Sequence, residues 1–216
     1  MKKFETGLMF PTMQNSFFKN SVNLDITNRC PLKCPSCQRQ SWWYDENRHL
    51  FNDMSVEDLQ KFIDSGFTWL EFSGQQSDPM AHPNILEFIS LCYSIKLDIH
   101  TATSHRKKDF YENAFDRSGM KTKWIFGLDG LPEESHKHRV NQDGVHLYEM
   151  MKLGARMGIN VIWQYIVFNY NQDHIEQAKK MSADDGIEFK LSFSDRWAIH
   201  TDIPLTHLKP RDEYCA

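Results

Sequence analysis

The stretch VNLDITNRCPLKCPSC, Val22 to Cys37, decides how this chain is read. Its first half, VNLDIT, mixes β-branched and apolar side chains with polar ones in the alternation of a strand that buries one face. Its second half sets Cys30, Cys34 and Cys37 within eight residues, spaced C-x3-C-x2-C. Three thiols so crowded do not pair comfortably as disulfides, and the chain's total of five cysteines is odd. In a reducing compartment such a group points to metal. Thiolates hold iron–sulfur clusters or zinc, usually four to a closed site, so three on one loop leave a metal position open to a small molecule. The alternative is zinc completed by a histidine, with His49 nearest downstream. Zinc sites built on cysteine usually pair two C-x2-C knuckles, however, and one such pair stands here with an extra cysteine upstream.

Outward from that loop, β-rich runs alternate with amphipathic ones. Strands are expected at Val22–Thr27, Thr68–Ser73, Lys96–Thr101, Lys123–Leu128, Asn160–Phe168 and Ile187–Ser192. Helices are expected at Val56–Ser65 behind a Ser55 N-cap, then Pro83–Tyr93, Lys108–Arg117, His146–Met157 and Asp173–Met181. Gly66, Gly119, Gly158 and Gly186 follow helices, where left-handed C-caps are expected. Strand, helix, strand at this spacing builds right-handed βαβ crossovers and hence a parallel α/β sheet. Periodicity leaves open whether that sheet stays flat or curls into part of a barrel. In either form ligands gather at the C-terminal ends of the strands, which puts the cysteine loop at a site.

The bulk numbers fit one ordinary globular domain. The chain has 216 residues, 40% hydrophobic and 25% charged, with a net charge of −4. An isoelectric point near 6.2 gives no electrostatic case for nucleic acid or an acidic membrane as partner. No unbroken apolar signal segment opens the chain, and no run is long enough to span a bilayer. The expectation is a soluble, unexported, cytoplasmic protein. The tail TDIPLTHLKPRDEYCA loses periodicity and ends one residue after Cys215.

The cysteine loop after a first strand resembles the radical S-adenosylmethionine (SAM) superfamily. The resemblance implies an α/β fold, the partial (β/α)6 TIM-like barrel of the radical SAM core, over about Val22 to Trp197. It implies a [4Fe-4S] cluster on Cys30, Cys34 and Cys37, with SAM on the fourth iron, and an electron donor such as flavodoxin or ferredoxin. The activity implied is reductive cleavage of SAM to a 5′-deoxyadenosyl radical that takes hydrogen from a peptide or small-molecule substrate. Residues 198–216 would be a tail, either closing a minimal single-domain chain or forming the stub of a C-terminal auxiliary-cluster domain. One departure is Ser36, where the superfamily usually has an aromatic residue that shields the adenine.

Further segments take meaning from the same resemblance. SGQQSDP, supplying Ser73, Gly74, Gln75, Gln76 and Asp78, sits where relatives carry a G-G-E-P stretch that binds the SAM amino group; the usual Glu is missing, and Asp78 or a Gln is expected to accept in its place. Taken alone, the segment reads equally as a plain strand-to-helix turn. Thr101, Thr103 and Ser104 occupy the position of a T-N-G turn, where hydroxyls reach SAM or cap the next helix. GLDGLPEESHKHR resembles an S-L-D-G…H…R segment of the branch containing the molybdenum-cofactor cyclase and the peptide-maturing enzymes. It offers Asp129, otherwise a turn former, and Arg139, whose planar fork suits a carboxylate. Gln164, polar within a buried run, must face a ligand or an internal partner. SWWYDENRH (Ser41 to His49) is either a lid or a loop packed on the barrel mouth, and Cys92 is expected in the core. Ser36 and the missing Glu favour a rival reading, a non-catalytic iron–sulfur or zinc module.

Overall fold

VNLDIT does open with a strand, β1 (Ser21–Leu24), followed by β2 (Trp69–Phe72), β3 (Lys96–Thr101), β4 (Thr122–Gly127), β5 (Asn160–Ile166) and β6 (Glu188–Ser192). The structure is a computed structural model that describes residues 20–35, 37–50, 52–74, 77–194, 197 and 206–215. The strands form one sheet in sequence order, every neighbouring pair parallel. Each crossover therefore steps one strand along in the same direction, and such a sheet curls instead of reversing at a switch point. This is the partial (β/α)6 barrel expected.

The helices are α1 (Trp42–Asn47), α2 (Val56–Asp64), α3 (Ile85–Leu91), α4 (Lys108–Asp116), α5 (Gly144–Arg156) and α6 (Ile175–Asp184). Local signals account for their starts. The Ser55 hydroxyl accepts from Asp58 N at 3.0 Å and caps α2. The Asp143 carboxylate does the same for α5 through His146 N at 2.9 Å. Gly66, Gly158 and Gly186 have positive φ, as expected of C-caps. Gly119 does not, and its expectation is corrected: a Cβ there would run into the Tyr93 carbonyl, so close backbone approach selects glycine.

The sheet has two unlike faces. Leu70, Phe72, Leu97, Ile99, Trp124, Phe126, Val161, Trp163 and Tyr165 are buried against Leu59, Phe88, Tyr111, Phe115, Leu147 and Ile175 of the helices. Cys92 lies in this core. Each large side chain so buried contributes about 1.5–3 kcal/mol. The alternate residues face the other way, into the curl, where they include Glu71, His100, Gln164 and Lys190. Residues 206–215 return to the sheet's end. Leu208 and Cys215 pack on Phe168 and Trp197, and Cys215 bridges Ser194 in parallel. Among the described residues no helix is long and apolar enough to cross a membrane.

Most element boundaries shift by one to three residues from expectation, and three differences have a local cause. β1 stops at Leu24 because Ile26 O accepts from Met54 N at 2.8 Å, joining the approach to α2 in place of β2. β5 ends at Ile166 because the Phe168 N–H donates to Asn171 Oδ1 at 2.7 Å in a turn. Trp42–Asn47 is helical, capped by the Ser41 hydroxyl on Tyr44 N at 3.3 Å.

Candidate functional site

The loop from Asn28 to Gln40 leaves β1 at the C-terminal edge of the sheet and is tied down on every side. Arg29 O accepts from Asp78 N at 2.9 Å, and Lys33 N donates to Val140 O at 3.0 Å. Pro31 O accepts from Asn141 Nδ2 at 3.2 Å. Asn28 O accepts from Tyr44 OH at 3.1 Å and from Arg39. The SWWYDENRH segment thus packs against the loop through Tyr44. Within the loop, Cys37 N donates to Cys34 O at 3.1 Å, a turn that brings the last two cysteines round together.

Cys30, Cys34 and Cys37 are half-buried and unbridged. Burial, with Asp78 nearby, pushes the Cys30 thiol up to about 12. Burial also raises Cys34, against the pull of the Arg139 guanidinium. Among the described residues no three of His, Cys, Asp and Glu are gathered as ligands of a single ion. A four-iron cluster takes one thiolate per iron, and three free thiols on one loop are the donor set such a group uses.

Asp78 turns out to be a hub. Its Oδ1 accepts from Met80 N at 3.0 Å and Thr101 Oγ1 at 2.9 Å. Its Oδ2 accepts from Ala102 N at 2.7 Å and Thr103 N at 3.1 Å. The carboxylate is buried and occupied by the protein's own donors. It fastens the loop after β2 to the one after β3, while its backbone N–H fastens both to Arg29. Gly74 has φ 55°, and a Cβ there would meet the Ser77 carbonyl carbon at 2.9 Å. The Ser73 hydroxyl donates to Asn23 Oδ1. Gln75, Gln76 and Ser36 lie outside the described residues. Thr103 Oγ1 is buried with no partner among the described residues, and the Ser104 hydroxyl accepts from Asp143 N at 2.7 Å. Of the three hydroxyls after β3, two are therefore engaged in holding loops and one is not.

After β4, Asp129 is fully buried. Its Oδ2 stands 2.7 Å from Arg139 Nε and 3.1 Å from His138 Nδ1. Its Oδ1 accepts from Ile166 N at 3.1 Å. Burial raises the carboxyl's pKa, but Arg139 and His138 outweigh it and hold the group below the usual carboxylate range. Asp129 and Arg139 thus come together, with the guanidinium beneath Gly127, where a Cβ would meet Nη2 at 2.7 Å. Gln164 faces the curl, its Nε2 3.5 Å from Ser192 Oγ. Sequence reasoning missed Gln142, whose Nε2 donates to Gly127 O at 2.9 Å and to Ala102 O, joining the ends of β3 and β4. A polar residue just before the Asp143 cap was its only signal.

No family model matches the chain. Over 101 residues it is 29% identical to a PqqA peptide cyclase of Gluconobacter oxydans, a match covering 46% of this chain and 28% of that protein. The crystal structure of SuiB from Streptococcus suis superposes with a TM-score of 0.65 at 16% identity, covering 89% of this chain and 42% of that one. Methylornithine synthase (PylB) gives 0.59 at 12% identity, over 80% and 52%. The chain therefore spans well under two thirds of these relatives. In its fold it is similar to these enzymes.

Proposed function

We propose that this chain is a radical SAM enzyme core, holding a [4Fe-4S] cluster on Cys30, Cys34 and Cys37 and taking hydrogen from a peptide substrate. The carrying observation is the anchored loop of three free, half-buried thiols at the C-terminal edge of a partial barrel. Support for a peptide comes from two likenesses: the curated relative is a peptide cyclase, and SuiB has been solved with a precursor peptide and with SAM. When bound, the cluster and SAM supply one-electron cleavage to methionine and a 5′-deoxyadenosyl radical, the electron coming from a reduced carrier such as flavodoxin or ferredoxin.

The protein's own residues position and enclose. Arg39, Tyr44, Asn141 and Asp78 hold the cysteine loop by its backbone. Asp129 orients the Arg139 guanidinium toward Cys34, where an N–H fork suits the SAM carboxylate. Because Asp78 is filled by internal donors, its role is to fix the loops, and the Thr103 hydroxyl is the unengaged polar group after β3. Anaerobic reconstitution tests the reading. About four irons per chain are expected, with 5′-deoxyadenosine formed from SAM under dithionite and lost in Cys34→Ala. Zinc in place of iron, or a loaded cluster that leaves SAM intact, would return the chain to the non-catalytic metal-module reading.

A further inference from the structure

Below the loops at its mouth, the barrel carries a second group of ionisable side chains on the face turned away from the helices. Glu71 on β2 stands opposite Asp98 on β3, and His100 follows two residues on, so the three share the inner face. Lys190 on β6, opposite Gln164 on β5, completes the group. His100 Nε2 lies 3.0 Å from Glu71 Oε1. A carboxylate at that distance keeps the imidazole proton on Nε2 and leaves Nδ1 an acceptor. Asp98 is only 8% exposed, and its Oδ1 has no hydrogen-bond partner among the described residues.

Two carboxylates directly across a strand pair repel, and a buried oxygen without a donor costs free energy. Neither feature contributes to folding. Each becomes favourable if a cation-bearing donor occupies the space between them. Three acceptors lie on this inner face of neighbouring strands: the second Glu71 oxygen, Asp98 Oδ1 and His100 Nδ1. The layer also lies close below the mouth. His100 is adjacent to Thr101, whose hydroxyl binds Asp78 at 2.9 Å. Asp78 N in turn donates to Arg29 O at 2.9 Å, next to the first cysteine.

We propose that Glu71, Asp98 and His100 form a substrate subsite for a protonated primary amine, with Lys190 at its edge setting the limit on bound positive charge. That the amine belongs to the substrate rests on the radical SAM reading. The subsite itself does not.

Calorimetric titration of the full chain with Nα-acetyl-lysine amide, its Nε-acetylated form and a short lysine-containing peptide tests the inference. The free amine should bind at least tenfold tighter than the acetylated form, since charge-assisted bonds are lost on acetylation. Glu71→Gln and Asp98→Asn should each weaken it about tenfold, and Lys190→Gln should tighten it severalfold by removing a competing charge. Circular dichroism checks the variants' folding, and the amine-to-acetyl comparison needs no variant. Tighter binding of the peptide than of the amide would assign the amine to a peptide side chain; equal binding would assign it to a small molecule. Equal binding of the amine and its acetylated form, or no binding of either, overturns the subsite. SAM cleavage without amine preference would sink this inference alone, and amine preference without SAM cleavage would sink only the proposed function.

Discussion

Arg139 Nε stands 2.7 Å from Asp129 Oδ2, a pair buried under the cysteine loop with His138 Nδ1 on the same oxygen at 3.1 Å. Ten residues separate the two along a turn-rich segment, yet the geometry is that of one unit: the carboxylate faces inward, accepts from Ile166 N, and holds the guanidinium against Gly127 beside Cys34. Its arrangement sets both the stability of the mouth and the charge next to Cys34.

Breaking that unit from the acid side should be expensive. Asp129→Asn leaves a buried guanidinium without its counter-charge, and the expected loss is about 3–5 kcal/mol. Urea unfolding should show a lower midpoint at unchanged slope. A change under about 1 kcal/mol would mean that the pair behaves as an exposed one does.

Asp78→Asn tests the hub between the loops. The amide that replaces one oxygen turns a donor toward Ala102 N and Thr103 N or toward Met80 N, so at least one bond is lost and donors face each other. We expect about 2 kcal/mol of destabilisation and a fall in 5′-deoxyadenosine formation, because the cysteine loop is tethered through Arg29 O to the same residue. Full stability with lost activity would instead mark Asp78 as a direct SAM contact.

Gln142 offers a test with a pH signature. Its amide donates to two carbonyls, Ala102 O and Gly127 O, so Gln142→Leu removes both donations at a cost of about 1–2 kcal/mol. Gln142→Glu should be worse at pH 7, where a buried carboxylate would face two carbonyl oxygens. Its deficit should shrink as pH falls, because the protonated acid regains a donor. Equal deficits for the two variants at every pH would refute the assignment.

The fold was legible because each βα unit states its own period, and the cysteine loop stood out because its spacing is local. Partnerships were not. Asp78 meets Thr101 and Thr103 from a loop more than twenty residues away, so one segment cannot tell a ligand contact from a loop tether. Glu71 and His100 sit at the polar positions of WLEF and KLDIHT, an alternation that ordinarily means a solvent-facing side. In a curled sheet the same positions line the interior, which only the closure of the barrel discloses. Gly119 was misjudged for a similar reason: the Tyr93 carbonyl that excludes a Cβ comes from another crossover.

His82 makes the stability of the barrel depend on pH below neutrality. The ring is fully buried, its centroid 4.4 Å from that of Phe88 and its plane tilted 38° to it, with Nε2 3.0 Å from Met54 O and Nδ1 3.1 Å from Asn84 N. Both nitrogens are thereby assigned: Nε2–H donates to the Met54 carbonyl and Nδ1 accepts from the Asn84 amide. A second proton on Nδ1 would oppose that amide. Burial accordingly lowers the pKa from the usual 6.5, although Met54 O and Asp53 pull the other way. Because the folded value lies below the unfolded one, the unfolded chain takes up the proton first as pH falls. The contribution is therefore whole above about pH 6.5 and is lost on the way down to the folded value, at up to about 1.4 kcal/mol per pH unit for one proton. His100 and His105, also lowered by burial, act with the same sign. Denaturation of the parent and of His82→Gln between pH 7.5 and 5 isolates the residue: the variant should start less stable and fall less steeply, and parallel curves would show that His82 keeps its ordinary affinity for the proton.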